Sequence, residues 1–488
     1  LRSVFSIVVV VGIVFTLIYS LIPKQNIFNN DTTYNKYKAG DERKQYELQQ
    51  YDKFGYIEYV TLVDYCYATY ETGTEEYTNC TKVVKDQTNP EIERFTNYYK
   101  SKNYTVGFYT TGVPYAYKDV SPIKMLFNWI LNIIEIDHPN KVVDKNNPDL
   151  ERKIYFGTDW NGKPAILCSG CESKYLYYFD NKFPFLHTNL FKINLGESFP
   201  TFQGNSVLDV ITDRQNENVK REVTFPTGEV ANTALIEYSC KYKSLLSSQD
   251  KRRFLDNYAE CDSYKSDPSM IGTSFLIGVI STILAYLLGF PIGLFMAKNK
   301  NKVVDKIGIA YIIFIISVPS LAYIFMFSRV GSWFGLPVKY AQFGAHNPLS
   351  YILPIISLAL PSVAGLMMWM RRYMIDQSLS DYVKFARAKG LSESSIFSKH
   401  IMRNAIIPIV HGIPGAILGS LTGAIITERV YAVPGMGKML TDAINAYNNQ
   451  MVIALTFIFT ALSVFSLLLG DILMTIVDPR ITFTENGR

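Results

Sequence analysis

The 488-residue chain is predicted to be an α-helical integral membrane protein with six transmembrane helices and a mixed α+β extracellular domain inserted between the first two. Three observations predict this. Apolar residues make up 48% of the sequence but gather in runs at 5–22, 270–296, 307–327, 351–370, 405–427 and 452–477. Each is close to the roughly 20 residues that cross a bilayer core at 1.5 Å per residue. Lysine and arginine crowd into alternate short loops, and all six cysteines fall in the long polar segment after the first run.

The first run is preceded by one charge, Arg2, and has no small-residue cleavage site before Lys24, so it reads as an uncleaved anchor. The segment 24–267 is long enough to bury its own core. Helical spacing of charged and aromatic residues predicts helices at 42–54 and 91–100, the second entered through Asn89-Pro90. Strands are predicted at 104–110, 153–157, 164–168 and 175–179, with a tight turn at Trp160-Asn-Gly162.

Cys66, Cys80, Cys168, Cys171, Cys240 and Cys261 form an even set in an exterior segment, which reads as disulfides. Six cysteines allow 15 pairings, and neighbour pairing is preferred. Cys168-Ser-Gly-Cys171 could also be half a zinc knuckle or a redox pair, but no second such unit accompanies it, so a structural turn is favoured and no metal site is expected. Asn30, Asn79 and Asn103 open glycosylation sequons.

Prolines 291, 319, 361 and 414 lie inside the later runs and are expected to kink rather than break them, since neighbouring helices satisfy freed backbone groups in a membrane. Lys298, Lys300, Lys302 and Lys306 follow the second run, and Arg371, Arg372, Lys384, Arg387, Lys389, Lys399 and Arg403 follow the fourth. The opposite loops carry only Arg329 and Lys339, or Arg429 and Lys438. By the positive-inside rule both termini are cytoplasmic and 24–267 is extracellular, in a multi-pass protein of the cell membrane. That segment holds 30 Lys and Arg against 34 Asp and Glu, so the net charge of +5 reflects topology and lipid contact, with no nucleic-acid partner implied. Asp471 and His411 lie within apolar runs, where a carboxylate is costly unless it faces a cavity or a partner, as a proton or substrate site would, and where a lone histidine usually packs within the bundle.

Between the fourth and fifth runs stands a basic stretch, Asp381-Tyr-Val-Lys-Phe-Ala386-Arg-Ala-Lys-Gly-Leu391, followed by His400-Ile-Met-Arg-Asn-Ala-Ile-Ile-Pro408. Tyr382, Phe385 and Ala386 are spaced to share one face of a short helix as an apolar knob, which Gly390 can end in a left-handed conformation. Ser392 and Glu393 can cap a second helix running to Arg403. Taken alone, this is also the pattern of a surface amphipathic helix in a positive-inside loop.

The Ala386-Arg387-Ala388-Lys389-Gly390-Leu391 string with the H-x-x-R-N-A-x-x-P that follows resembles the ATPase-coupling loop of permease subunits of ATP-binding-cassette oligopeptide and dipeptide importers. Other stretches are similar to that family in order: Leu21-Ile-Pro23, Asn194-Leu-Gly-Glu-Ser-Phe199, Glu428 with Pro434-Gly435-Met-Gly437, an acid at Asp471, for which the resemblance implies a structural hydrogen bond, and Asp478-Pro-Arg-Ile481. The resemblance covers the first run and about 270–481; most of 25–189 and 212–266 looks inserted, and Lys384-Phe385-Ala386 stands where generic importers carry Glu-Ala-Ala.

What the resemblance implies is a type I importer fold: a first span 1–23, an extracellular insert 24–267, a core 268–481 with its coupling loop at 371–404, and a cytoplasmic tail 482–488. It also implies a homologous second permease, two cytoplasmic ATPases carrying ATP and Mg, an extracellular peptide-binding lipoprotein and a peptide cargo. The chain itself has no G-x-x-x-x-G-K-[ST] loop, H-E-x-x-H or G-x-S-x-G, so no enzyme activity or cofactor of its own is expected. Two alternatives stay open at this point: a permease for nickel or another small solute, and a membrane-anchored receptor or adhesin.

Overall fold

A nearly continuous apolar run builds the first element, α1 (Arg2–Leu21). Val11 and Phe15 are buried on one side of it, whereas Ile13 and Leu17 are exposed on another. The computed structural model describes residues 2–477 except 83–88, 136–141, 143, 145–146, 148–149, 159–162, 181–182 and 187–191. The turn expected at Trp160–Gly162 and the closing Asp478–Ile481 lie outside the described residues.

The polar segment forms helices and antiparallel sheets. Helix α2 (Asp41–Lys53) opens with two acids in its first turn and ends through Gly55, whose φ of +75° lets Tyr56 N–H reach back to Tyr51 O at 2.8 Å. Strands β1 (Ile57–Thr61), β2 (Thr105–Phe108) and β3 (Pro114–Asp119) pair in the order β1-β3-β2, with α3 (Pro90–Ser101) between the first two in sequence. Asn89 caps α3 by accepting from Glu91 N–H, and Pro90 fits the first helical position, where no N–H is needed.

Helix α4 (Pro122–Asn132) is capped in the same way by Ser121. Beyond it, β4 (Ile134–Glu135) pairs with a strand further along the chain, and β5 (Lys153–Thr158), β6 (Pro164–Ser169), β7 (Tyr175–Asp180) and β8 (Phe183–Leu186) form a four-stranded meander. β9 (Lys192–Ile193) is the partner of β4. The stretch 212–266, read from the sequence only as inserted, holds further short antiparallel ladders, among them Arg221–Thr224 with Val230–Thr233. Disulfides tie Cys66 to Cys80, Cys168 to Cys171 and Cys240 to Cys261, with Cα separations of 5.9, 5.7 and 4.0 Å.

The apolar half consists of α5 (Met270–Lys298), α6 (Val303–Ser317), α7 (Ser320–Trp333), α8 (Leu349–Ser378), α9 (Asp381–Ala388), α10 (Ile407–Gly423), α11 (Ile425–Tyr431), α12 (Met436–Asn445) and α13 (Asn449–Val477). By length and composition, four of the described helices can cross a membrane: α5, α8, the α10–α11 unit and α13. Phe5–Leu21 is a shorter apolar helix. Pro291, Pro361 and Pro414 sit inside continuous helices. Pro319 does not merely kink its run: α6 and α7 meet at 109° across Val318-Pro319. Val318 is extended, as a residue before proline prefers, and Pro319 becomes the cap position of the next helix.

Two devices hold the apolar half together. Gly289-Phe-Pro-Ile-Gly293 brings α5 onto α8, since a Cβ at either glycine would stand 2.9 Å from a side chain there, Leu366 or Met370. Asp305, fully buried at the start of α6, accepts from Arg371 of α8 at 2.5 and 2.8 Å and from Asn301 N–H at 2.8 Å.

Three consecutive amides attach α13 to the polar segment and to α1. Asn448 Nδ2 donates to Ser198 Oγ at 2.8 Å and Thr201 Oγ1 at 2.9 Å, Asn449 Nδ2 to Tyr56 Oη at 2.8 Å, and Gln450 Nε2 to Tyr19 Oη at 3.2 Å. Gly196, at φ +97°, lets the chain pass where a Cβ would lie 2.5 Å from Gln450 Oε1. Asn448→Ala removes the Oδ1 that accepts from the buried N–H groups of Phe199 and Met451 at 3.4 and 3.1 Å, and is expected to lower stability by about 1–3 kcal/mol. The thermal unfolding midpoint of the detergent-purified protein, compared with wild type, checks it.

Candidate functional site

The loop between α8 and α10 is a short helix fixed at both ends. Val383 and Ala386 of α9 are buried against Met370, Met374, Ile396 and Ile401. Tyr382 is half-buried, with its hydroxyl donating to Gln377 Oε1 at 2.8 Å. Phe385 points away from this packing and is 69% exposed. The single apolar face expected of Tyr382, Phe385 and Ala386 is therefore divided. Val383, three residues before Ala386, draws Ala386 inward and leaves Phe385 as the one large apolar side chain of α9 that is exposed.

The helix ends where the sequence places its stop. Gly390 has φ +73°, its N–H donates to Arg387 O at 2.9 Å, and Leu391 N–H donates to Ala386 O at 3.3 Å, the paired closure that a left-handed residue permits. Arg387, Ala388, Lys389 and Leu391 are exposed around this turn. Arg387 Nε reaches Glu393 Oε1 at 2.8 Å, which holds the Glu393 carboxyl below its ordinary range and the guanidinium above its own. Ser392 Oγ accepts from Ser395 N–H. The helix expected to run regularly to Arg403 instead widens to a π turn at Ile396–Ile401, which turns both of those isoleucines into the core. A cavity of about 530 Å³ opens beside the loop, lined by Lys298, Met374, Arg387, Glu393 and Phe397 among others.

At the opposite ends of the helices, Glu428 is fully buried. Ser274 of α5 donates to its Oε1 at 2.6 Å, and Lys438 N–H in the first turn of α12 donates to its Oε2 at 2.9 Å. A carboxylate is well placed there, because a helix N-terminus presents unpaired N–H groups and a partial positive charge. Met436 N–H in turn donates to Ser274 Oγ at 2.9 Å. Gly435 and Gly437 are required by closeness: a Cβ on Gly435 would be 2.5 Å from both Glu428 oxygens, and one on Gly437 2.7 Å from Ile425 Cα. Pro434 and Gly435 line a cavity of about 480 Å³ with Phe202, Met270, Lys438 and Asp442. Asp442 also holds Arg429 and Lys438.

Asp471 is half-exposed on α13, its carboxylate 3.8 Å from His411 Nδ1. That distance is beyond hydrogen-bond range, so the structural hydrogen bond expected of Asp471 is not made with this neighbour. Gly470 lets the two helices touch there, since its Cβ would lie 2.7 Å from His411 O. The bridge between Cys168 and Cys171 takes both thiols out of any metal set. Sequence reasoning missed Val383, Ser274 and Asn448. Only Val383 had a local signal, its three-residue spacing to Ala386.

Residues 289–483 match the family described as binding-protein-dependent transport system inner membrane component. The oligopeptide transport system permease protein AmiC of Streptococcus pneumoniae serotype 4 is 41% identical over 496 residues, taking in 100% of this chain and 98% of that one. The oligopeptide transport system permease protein AppB of Bacillus subtilis is 32% identical over 219 residues, 43% of this chain and 69% of that one. The dipeptide transport system permease protein DppB of Lactococcus lactis subsp. cremoris is 31% identical over 235 residues, 47% of this chain and 77% of that one. The polar segment is thus shared in length with AmiC, while the alignments to AppB and DppB take in less than half of this chain.

Glu428→Ala removes the acceptor of Ser274 Oγ–H and Lys438 N–H, and each buried group left unpaired costs about 1–3 kcal/mol. Glu428→Gln keeps an acceptor and should lose less. Unfolding midpoints are expected in the order wild type, Gln, Ala.

Proposed function

The chain belongs to the family of binding-protein-dependent transport system inner membrane components, and we propose that it is one of the two permease subunits of an ATP-binding-cassette importer of oligopeptides. Peptide cargo is the reading supported by the names of the relatives, among them one that aligns from end to end. Six spans follow if α1 and the bent α6–α7 pair each cross once. The arginine and lysine bias then places both termini and the α9 loop in the cytoplasm, and 24–267 outside.

In this reading a homologous permease completes the pore, and two cytoplasmic ATPases carry ATP and Mg. An extracellular binding lipoprotein delivers peptide to the mouth formed near Glu428, Pro434, Gly435 and Gly437. The chain contributes no catalytic group; its part is to move. One observation carries the coupling role: Phe385 stands exposed on a helix whose two ends are locked, by Gly390 with the Arg387–Glu393 pair on one side and by Val383 and Ala386 packed beneath. A projecting ring on a rigid base can enter a groove on an ATPase and transmit its displacement. Ile396 and Ile401 carry that displacement toward α10, and the Arg371–Asp305 pair carries it from α8 to α6.

Phe385→Asp alters only an exposed side chain, so the protein should insert and fold normally. In proteoliposomes with the partner subunits, peptide-stimulated ATP hydrolysis should fall at least tenfold. Gly390→Pro removes the N–H that closes the turn and should do the same. Normal turnover in both variants would refute the coupling role, and uptake of nickel rather than labelled oligopeptide by the wild-type complex would refute the cargo.

A further inference from the structure

We propose that α4, although it belongs to the segment between the first two spans, is embedded in the bilayer leaflet on that side, with lipid acyl chains covering its outer face. The inner face of α4 sets its depth. Leu126 comes within 3.3 Å of where a Cβ on Gly12 would stand, and Trp129 packs on Phe15 of α1 with ring centroids 6.3 Å apart. Trp129 also meets Phe457 of α13 edge-on, at 5.7 Å. Gly12 lies nine residues from the Leu21 end of α1, and Phe457 eight residues from the Asn449 start of α13. At 1.5 Å per residue these place α4 about 14 Å and about 12 Å below the two helix ends. Phe15, six residues from the Leu21 end, puts Trp129 about 9 Å down by α1 against about 12 Å by α13, so the two helices agree to within a few ångström.

The outer face has the chemistry for that level. Ile123, Phe127 and Leu131 recur every fourth residue and are 62%, 62% and 74% exposed. Ile134 and Ile193, opposite each other in the β4–β9 ladder, extend the surface at 62% and 49%. An apolar surface of this extent is large for one facing water. Lys124 carries the helix's one charge and is paired with Glu58 of β1 at 2.6 Å. At 11 residues the helix is too short to cross, so it lies within one leaflet. Lipid is favoured as the occupant because Ile13 and Leu17, at the level of Gly12 and Phe15 but on another side of α1, are themselves exposed and apolar.

The test uses the assembled complex in lipid nanodiscs with its native disulfides intact. Single cysteines replace Phe127 or Leu131 and carry a thiol-reactive fluorophore. Ile313→Cys on α6 and Phe156→Cys on β5 are the membrane and water references. Lipids brominated along the acyl chain should quench the labels at 127 and 131 as strongly as at 313 and at least fivefold more than at 156, with the order reversed for aqueous iodide. Iodide quenching equal to that at 156 would overturn the proposal, and so would protection from both quenchers, which would mean that protein, such as the second permease, covers the face.

Discussion

The carboxylate of Glu428 is the constraint on which the arrangement of the helix ends depends. Fully buried, it is satisfied by a hydroxyl from α5 and a backbone N–H from α12, and those donors have no water to fall back on. This fixes where α11 stops and where α12 begins. It also explains why Pro434-Gly-Met-Gly437 tolerates no side chain at either glycine: the backbone must pass within contact distance of the acid and of Ile425. The cavity bordered by Pro434 and Gly435 takes its shape from that turn.

Between Glu428 and the α9 loop the helices are joined by close contacts. The Gly289 and Gly293 seam closes α5 onto α8, and Asp305 with Arg371 closes α6 onto α8 near the loop end. Polar pairs therefore sit at both ends of a seam made by close backbone approach. With no hydrophobic drive between helices in lipid, such packing and hydrogen bonds carry the association. Between α9 and α10, Ile396 and Ile401 are buried with Met370 and Met374 of α8. The bend at Pro319 lies between α6 and α7, away from that packing.

Much of this was legible in the sequence, for reasons of scale. Apolar runs announce membrane helices because each must span the same thickness, and the Gly390 stop was readable because only one backbone conformation ends the helix so abruptly. Pro319 was misjudged because proline reads alike in a kinked and a broken helix; the difference lies in whether neighbours supply the missing bonds. Phe385 and Ala386 were assigned one face because Val383 was left out of the pattern. Ser274 and Glu428 are 154 residues apart, and nothing local in either marks the pairing. β1 and β3 escaped notice because Tyr59, Tyr115 and Tyr117 blur the alternation of polar and apolar residues that betrays a strand.

The amide triplet at 448–450 has a mechanical consequence. Each of these neighbouring side chains grips a different anchor: the 198–201 turn, Tyr56 ahead of the first sheet, and Tyr19 on α1. A rocking motion of α13 cannot slide past three such grips at once. Were α13 to tilt, the 198–201 turn, Tyr56 and α1 would have to tilt with it, as an oar carries its rowlock.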